Sequence, residues 1–285
     1  MAFIMSAPIE HGLYIVATPI GNLGDLSRRA EEILAVADLI LVEDSRVTGK
    51  LLNYIGKKKK MMVYNDHKGE QERHDILAMV GCKIVALVSD AGTPLISDPG
   101  YKLVRDAQAA GAYVTTIPGP SAVIAALTLS GLPSDRFLFE GFLPSKAKAR
   151  GEVLEELKWV KATLVFYENG SRLGAMLADA ENNLGDRAAA VIREITKKFE
   201  ETVTGSLSDL AHRYATEKPK GEIVVVIGPP GVAEPASSED IETALRSALE
   251  RLPASKAASE VARAFDTDRK ELYDLTNRWK ADAQK

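Results

Sequence analysis

The feature that most constrains this chain is a repeated unit. A short apolar run leads into a loop dense in polar residues, glycine or proline, and then into a stretch with helical spacing. The unit recurs through roughly the first 130 residues. Apolar runs this short, bounded by turn formers, read as buried strands. They are Leu13-Tyr14-Ile15-Val16-Ala17, Leu39-Ile40-Leu41-Val42, Met61-Met62-Val63-Tyr64, the run 83–88 and the run 112–117. Helices are expected at about 27–37, 47–55, 70–79, 101–110 and 122–129, with Ile33, Leu34 and Val36 of the first facing inward. Alternating β and α predicts an α/β fold with a doubly wound, largely parallel sheet. In such a sheet every strand ends on the same edge, and ligands bind there.

The loops on that edge carry the candidate chemistry. The longest is Ser89-Asp90-Ala91-Gly92-Thr93-Pro94-Leu95-Ile96-Ser97-Asp98-Pro99-Gly100. Strand-to-helix connections usually take about 2–6 residues, so this one reads as a ligand loop. The others are Thr18 to Leu26, Glu43-Asp44-Ser45-Arg46, Asn65-Asp66-His67-Lys68 and Pro118-Gly119-Pro120-Ser121-Ala122. None has the spacing of a dinucleotide fingerprint or a P-loop, and no serine sits in a hydrolase elbow. Backbone amides, a few carboxylates and small residues remain. That set suits a zwitterionic adenosyl ligand. Asp90 or a nearby carbonyl could take an ammonium, and backbone N–H groups at a helix start could take a carboxylate. Ala91 and Ala122 would leave room for a flat purine.

Beyond about residue 131 the pattern changes. Strands are expected at 137–143, 163–167, 188–193 and 222–227, with helices at 151–159, 173–182 and 206–214. Fewer crossovers predict a largely antiparallel sheet. Pro144 to Arg150 reads as an exposed basic loop, and 194–202 as a loop. The expected organisation is therefore an N-terminal α/β domain at 12–131, a second α/β domain at 132–228, a linker at 229–238 and a helical tail at 239–285. In the tail, Ile241, Leu245, Leu249 and Leu252 share one helix face. Its later helices resemble a helix-turn-helix; a plain helical cap is the other reading.

A chain of 285 residues with a net charge of −4 does not coat bare nucleic acid by charge alone. Local basic patches remain, at Lys57 to Lys60, Lys146/Lys148/Arg150, Lys197-Lys198 and Lys218/Lys220. The single Cys82 reads as a small packing residue, and the four histidines have no metal-ligand spacing, so no metal is expected. No apolar run approaches the roughly 18–20 residues of a membrane span, and the first residues do not look like a signal peptide. A cytoplasmic protein without membrane contact is expected.

Taken in order, the motifs Thr18-Pro19-Ile20-Gly21-Asn22-Leu23-Gly24-Asp25, Glu43-Asp44-Ser45-Arg46, Ser89-Asp90-Ala91-Gly92-Thr93-Pro94 and Pro118-Gly119-Pro120-Ser121 resemble those of the tetrapyrrole methylase-like superfamily. Within it they are most similar to the family of small-subunit ribosomal RNA methyltransferases. Gly141-Phe142-Leu143-Pro144, Phe166-Tyr167-Glu168 and Arg193-Glu194-Ile195-Thr196-Lys197 extend the resemblance to about residue 228. It implies two α/β domains with S-adenosyl-L-methionine in the cleft between them, and a homodimer. It also implies 2′-O-methylation of a cytidine ribose in the decoding region of 16S rRNA, within the small ribosomal subunit. A structured RNA of that kind is recognised by shape and does not need a strongly basic protein. Two positions depart from the family's pattern. Val47 stands where a histidine is usual, and Asn169 where a small residue is common.

On this resemblance the cofactor residues are Pro19, Ser89, Asp90, Ala91, Leu95, Ile96, Ser121 and Ala122 from the first domain. Tyr167, Glu168, Glu222 and Ile223 join them from the second. The catalytic candidates are Asp44, Arg46 and His67, with Asp66 beside them. Asp44 could instead cap the helix it precedes. Arg46 could clamp a phosphate or pair with Glu43 or Asp44. His67 could be an ordinary loop residue. Lys146, Lys148 and Arg150 are the candidate RNA contacts. Two rival functions stand beside this one: a methyltransferase acting on a corrin or porphyrin precursor, and a non-catalytic sensor of an adenosyl ligand. The basic loop and the helical tail favour RNA.

Overall fold

The computed structural model describes residues 8–66, 69–231, 238–249, 251–265 and 267–282. It divides into a body ending at Pro229 and a tail beginning at Pro230.

The first half of the body holds β1 (Gly12–Val16), β2 (Leu39–Val42), β3 (Met61–Val63), β4 (Ile84–Leu87) and β5 (Val114–Ile117). They pair in the order β3-β2-β4-β1-β5, every pair parallel. The expected doubly wound sheet is what forms. Its strands are continuous apolar runs because both faces are covered. Tyr14, Val16, Ile40 and Val42 face α1 (Arg28–Val36) and α2 (Ser45–Tyr54). Leu13, Leu39, Leu41 and Val85 face α3 (Glu70–Val80) and α4 (Tyr101–Ala109). One expectation for α1 fails: Val36 is exposed, and Ala30 takes the buried position with Ile33 and Leu34. Cys82 also departs from its reading. It is exposed just before β4, its thiol near the Ala78 carbonyl at 3.6 Å.

α5 (Ala122–Leu129) is apolar nearly throughout; Val123, Ala126 and Leu127 are buried, while Ile124 and Leu129 are exposed. It packs Val123, Ala126 and Leu127 with Ile20 against Val165, Ala190, Ile192, Val224 and Val226 of a second sheet, and so joins the two halves.

That second sheet contains β6 (Phe137–Phe142), β7 (Thr163–Asn169), β8 (Ala188–Arg193), β9 (Glu201–Ser206) and β10 (Glu222–Ile227), ordered β6-β7-β10-β8-β9. Only β6 and β7 are parallel, as the scarcity of crossovers predicts. β9 has no counterpart in the sequence reading. It is an edge strand of alternating, half-exposed residues, so it lacks an apolar run. Helices α6 (Ala147–Leu157), α7 (Leu173–Leu184) and α8 (Leu207–Thr216) cover the face opposite α5.

The expected basic loop at 144–150 is corrected. α6 begins at Ala147, because the Ala-Lys-Ala-Arg run is made of good helix formers. Arg150 is consequently inside a helix and 5% exposed. Its guanidinium lies 2.6 Å from Asp179 and donates to the Pro144 and Ser145 carbonyls. Lys146 and Lys148 stay exposed.

In the tail, α9 (Ser238–Leu249), α10 (Ala254–Phe265) and α11 (Arg269–Asp282) enclose their own core of Leu245, Ala248, Ala257, Ala258, Val261 and Leu272. The Arg246 guanidinium lies 3.9 Å above the Trp279 ring. Among the described residues, no helix is long and apolar enough to cross a membrane.

Candidate active site

Hydrogen bonds stitch the loops on the carboxyl edge of the parallel sheet together. Thr18 and Gly92 exchange backbone bonds at 2.9 and 3.0 Å. Gly92 sits at φ 78°, a left-handed conformation that glycine adopts without steric cost. The Thr18 hydroxyl donates to the Ser89 carbonyl at 3.3 Å, and the Thr93 hydroxyl to the Pro120 carbonyl at 3.0 Å. The Asp44 amide donates to Asp90 Oδ1 at 3.0 Å. Four strand ends thus become one surface.

A cavity of about 210 Å³ opens between this surface and the second sheet. The first half contributes Ile20, Ala91, Gly92, Thr93, Ile96, Ser97, Asp98, Ser121 and Ala122. The second contributes Phe142, Tyr167, Glu168, Asn169, Ile195, Glu222, Ile223 and Val224. Eight expected cofactor residues therefore meet at one place: Ala91, Ile96, Ser121, Ala122, Tyr167, Glu168, Glu222 and Ile223. The other four stand behind the wall. Pro19 is buried between Thr18 and Ile20. Ser89 is buried beneath the loop. Leu95 packs against the core of the first half. Asp90 accepts from the Asp44 amide through Oδ1.

Ser97 and Asp98 stand outside the expected set yet line the cavity. The loop doubles back through left-handed conformations at Leu95 (φ 74°) and Ser97 (φ 64°), and this brings Asp98 to the cavity. Facing it, Glu194 (φ 50°) and Thr196 (φ 66°) carry the same unusual conformation beside Ile195. Backbone strain of this kind clusters at ligand sites.

The polar walls are acidic. Glu168 is 2% exposed. One of its oxygens accepts from the Asn169 amide at 2.8 Å; the other has no partner among the described residues. Burial pushes its carboxyl up, against the pull of the Asn169 amide and of Arg172. Burial likewise pushes Asp98 up to about 6, with Glu43 and Asp90 adding to the rise and the Ser89 hydroxyl opposing it. Tyr167 is pushed up to about 12 by burial and by Asp98 and Glu222. Phe139 and Phe142 meet the Tyr167 ring edge-on at 4.8 and 5.5 Å. Lys197 Nζ pairs with Glu222 at 2.7 Å and Glu194 at 3.0 Å, and its stem lies against Gly21 of the first loop.

An acidic wall fits a ligand bearing a cation. Ile20, Ile96, Ile195 and Val224 supply apolar walls for a flat ring. The residues present therefore fit S-adenosyl-L-methionine.

The expected catalytic residues lie to one side. Asp44 caps α2, accepting from the Arg46 amide at 2.8 Å. Its carboxylate also pairs with the Arg46 guanidinium, whose hydrogen bonds hold the carboxyl at about 2. The Arg46 side chain is 88% exposed. His67 lies outside the described residues. Asp66 is structural: it accepts from the Tyr64 hydroxyl and the Gly100 amide, each at 3.0 Å.

A parallel sheet facing a mixed one across such a cavity defines a tetrapyrrole methylase fold. Residues 12–211 match the family model for Tetrapyrrole (Corrin/Porphyrin) Methylases, and residues 235–280 the model for the RsmI C-terminal HTH domain. Diphthine synthase aligns with a TM-score of 0.59 at 17% identity, over 76% of this chain and 89% of its own. Uroporphyrin-III C-methyl transferase from Thermus thermophilus, complexed with S-adenyl homocysteine, aligns at 0.52 and 21%, over 76% and 97%. Sequence relatives are nearer. Ribosomal RNA small subunit methyltransferase I of Erythrobacter litoralis is 55% identical over 93% of this chain and 94% of its own. That of Mesorhizobium japonicum is 50% identical over 95% and 92%. The chain belongs to the ribosomal RNA small subunit methyltransferase I family.

Proposed function

We propose that this protein methylates the ribose 2′-oxygen of a cytidine in the decoding region of 16S rRNA, within the small ribosomal subunit. The coarser reaction follows from the family: methyl transfer from S-adenosyl-L-methionine to ribosomal RNA. The observation that carries the reading is the cavity between the two sheets, walled by Asp98 and Glu222 and by the apolar Ile20, Ile96, Ile195 and Val224.

Bound there, S-adenosyl-L-methionine supplies an electrophilic methyl group on a positively charged sulfur. Glu222 balances ligand charge, while Ile20, Ile195 and Val224 exclude water from the ring. Ser121, Ala122 and Ala91 shape the floor. A ribose hydroxyl is a poor nucleophile, and its placement about 3 Å from the methyl carbon is what the cleft must enforce. Arg46 clamps an RNA phosphate in this reading, supported by its 88% exposed side chain. Lys146 and Lys148 add sequence-independent attraction to the RNA backbone. The protein acts as a cytoplasmic homodimer in this reading.

Labelled S-adenosyl-L-methionine, incubated with the protein and with small subunits lacking the modification, tests it. Label entering 16S rRNA as an alkali-stable 2′-O-methylcytidine is expected. Transfer to a tetrapyrrole and none to RNA would replace the reading with its corrin or porphyrin rival.

A further inference from the structure

A second cavity of about 480 Å³ adjoins the first. Glu43, Tyr64, Asn65, Asp66, Asp98 and Pro99 line it. Asp98 stands in the walls of both cavities.

The carboxylates around it differ in what they are free to do. Both Asp66 oxygens are engaged, by the Tyr64 hydroxyl and the Gly100 amide. Glu43 stands 3.5 Å from the Asp90 amide. Asp90 holds the Asp44 amide. Asp44 is neutralised by Arg46. Asp98 is half-buried and has only the Ser89 hydroxyl near it as a donor among the described residues. Glu43, Asp66 and Asp90, with the Tyr64 and Tyr167 hydroxyls, are the titratable groups facing it, and none is a cation.

The second cavity fits the uncharged part of a nucleotide. Three carboxylates repel phosphate, but they accept from ribose hydroxyls and from the exocyclic amino group of cytosine. Phosphate would remain outside, where the exposed Arg46 guanidinium stands.

We propose that Asp98 is the proton acceptor of the methyl transfer, placed where a ribose hydroxyl arriving through the second cavity meets the methyl donor in the first. The inference rests on the ribose methylation reading above. The O–H bond of the ribose breaks, and its proton passes to an Asp98 oxygen. The electron pair of the ribose oxygen forms the new O–C bond to the methyl carbon. The pair of the broken C–S bond stays on sulfur, leaving a neutral thioether. Asp98 then returns the proton to water through the second cavity. Burial among anions raises its basicity to about 6, whereas Asp44 is held at about 2. A base near the working pH is the more effective one.

The full chain, as wild type, Asp98→Asn and Asp98→Glu, should be compared on unmodified small subunits in single turnover between pH 5 and 8.5. Cofactor binding to each is measured by isothermal titration. Asp98→Asn is expected to lower the transfer rate by about 10²–10⁴-fold while the cofactor dissociation constant moves by less than about threefold. The wild-type rate should rise with pH around a midpoint near 6, Asp98→Glu should keep a shifted midpoint, and Asp98→Asn should lose it. A rate within about fivefold of wild type overturns the inference. So does a fall in cofactor affinity that matches the fall in rate, because Asp98 is then a cofactor ligand. No transfer by the wild type overturns the parent reading and this one with it. Equal transfer by wild type and Asp98→Asn overturns this one alone.

Discussion

Glu168 Oε1 lies 3.3 Å from Arg172 Nε, one turn apart at the end of β7, while Glu168 Oε2 is buried without a partner. The carboxylate is therefore half satisfied by its own chain. An unsatisfied buried charge is costly, and burial accordingly pushes this carboxyl up. Glu168→Gln keeps the shape and removes the charge. It is expected to raise the melting temperature at about pH 8, where the wild type has to bury the ionised form. Calorimetry checks it; a lower melting temperature would show that the pair with Arg172 outweighs the cost of burial.

Asp98 makes the empty protein's stability depend on pH in the reverse of the usual carboxylate sense. Its folded value is raised to about 6, so the folded state keeps the proton after the unfolded chain has released it. The contribution is fully present below about pH 4 and is lost as pH rises through 6. Asp98→Asn should therefore be more stable than wild type at pH 8, by about 1–2 kcal/mol once solvent screening is allowed for. The gap should narrow as pH falls from 8 to 5. Thermal unfolding of both proteins over that range reads the difference directly.

Arg150 and its neighbours Lys146 and Lys148 should separate cleanly. Arg150 is buried against Asp179, and removing one partner of a buried pair costs about 3 kcal/mol. Arg150→Ala should lower the melting temperature by roughly 6–12 °C and impair subunit binding only through loss of folded protein. Lys146→Ala with Lys148→Ala should leave melting unchanged and weaken subunit binding, more so at low salt. Calorimetry and filter binding distinguish the two.

Gly170 lies where a Cβ would fall 1.6 Å from the Pro219 carbonyl oxygen. Backbone cannot yield to that extent without moving the residues that lead into β10. Gly170→Ala is expected to lower the melting temperature and to weaken cofactor binding together, because Glu222, Ile223 and Val224 open β10 and line the cavity. A destabilised variant with unchanged affinity would show that β10 is positioned from elsewhere.

The parallel half was legible because each of its strands is a short apolar run with turn formers on both sides, such as Leu39-Ile40-Leu41-Val42. β9 was not, because Glu201–Ser206 alternates on an exposed edge and its evidence lies in β8, across the pairing. Arg150 was read as surface because its partner Asp179 is 29 residues away, beyond the reach of any local pattern. The cavity's position followed from the strand ends, and eight of its residues with it. The choice between Asp90 and Asp98 did not. Composition treats them alike, and only the reversal through Leu95 and Ser97 decides which one faces inward.

The helix Ala122–Leu129 has one further meaning. Its buried side chains Val123, Ala126 and Leu127 seat it on Val165, Ala190, Ile192, Val224 and Val226 of the second sheet, and its first residue is part of the cavity floor. The berth for the methyl donor thus takes one wall from a helix that the other sheet carries. A bulkier residue at Ala126 would act as a wedge beneath that helix, shifting Ala122 without touching the ligand. The shape of the cleft is tunable from inside the core.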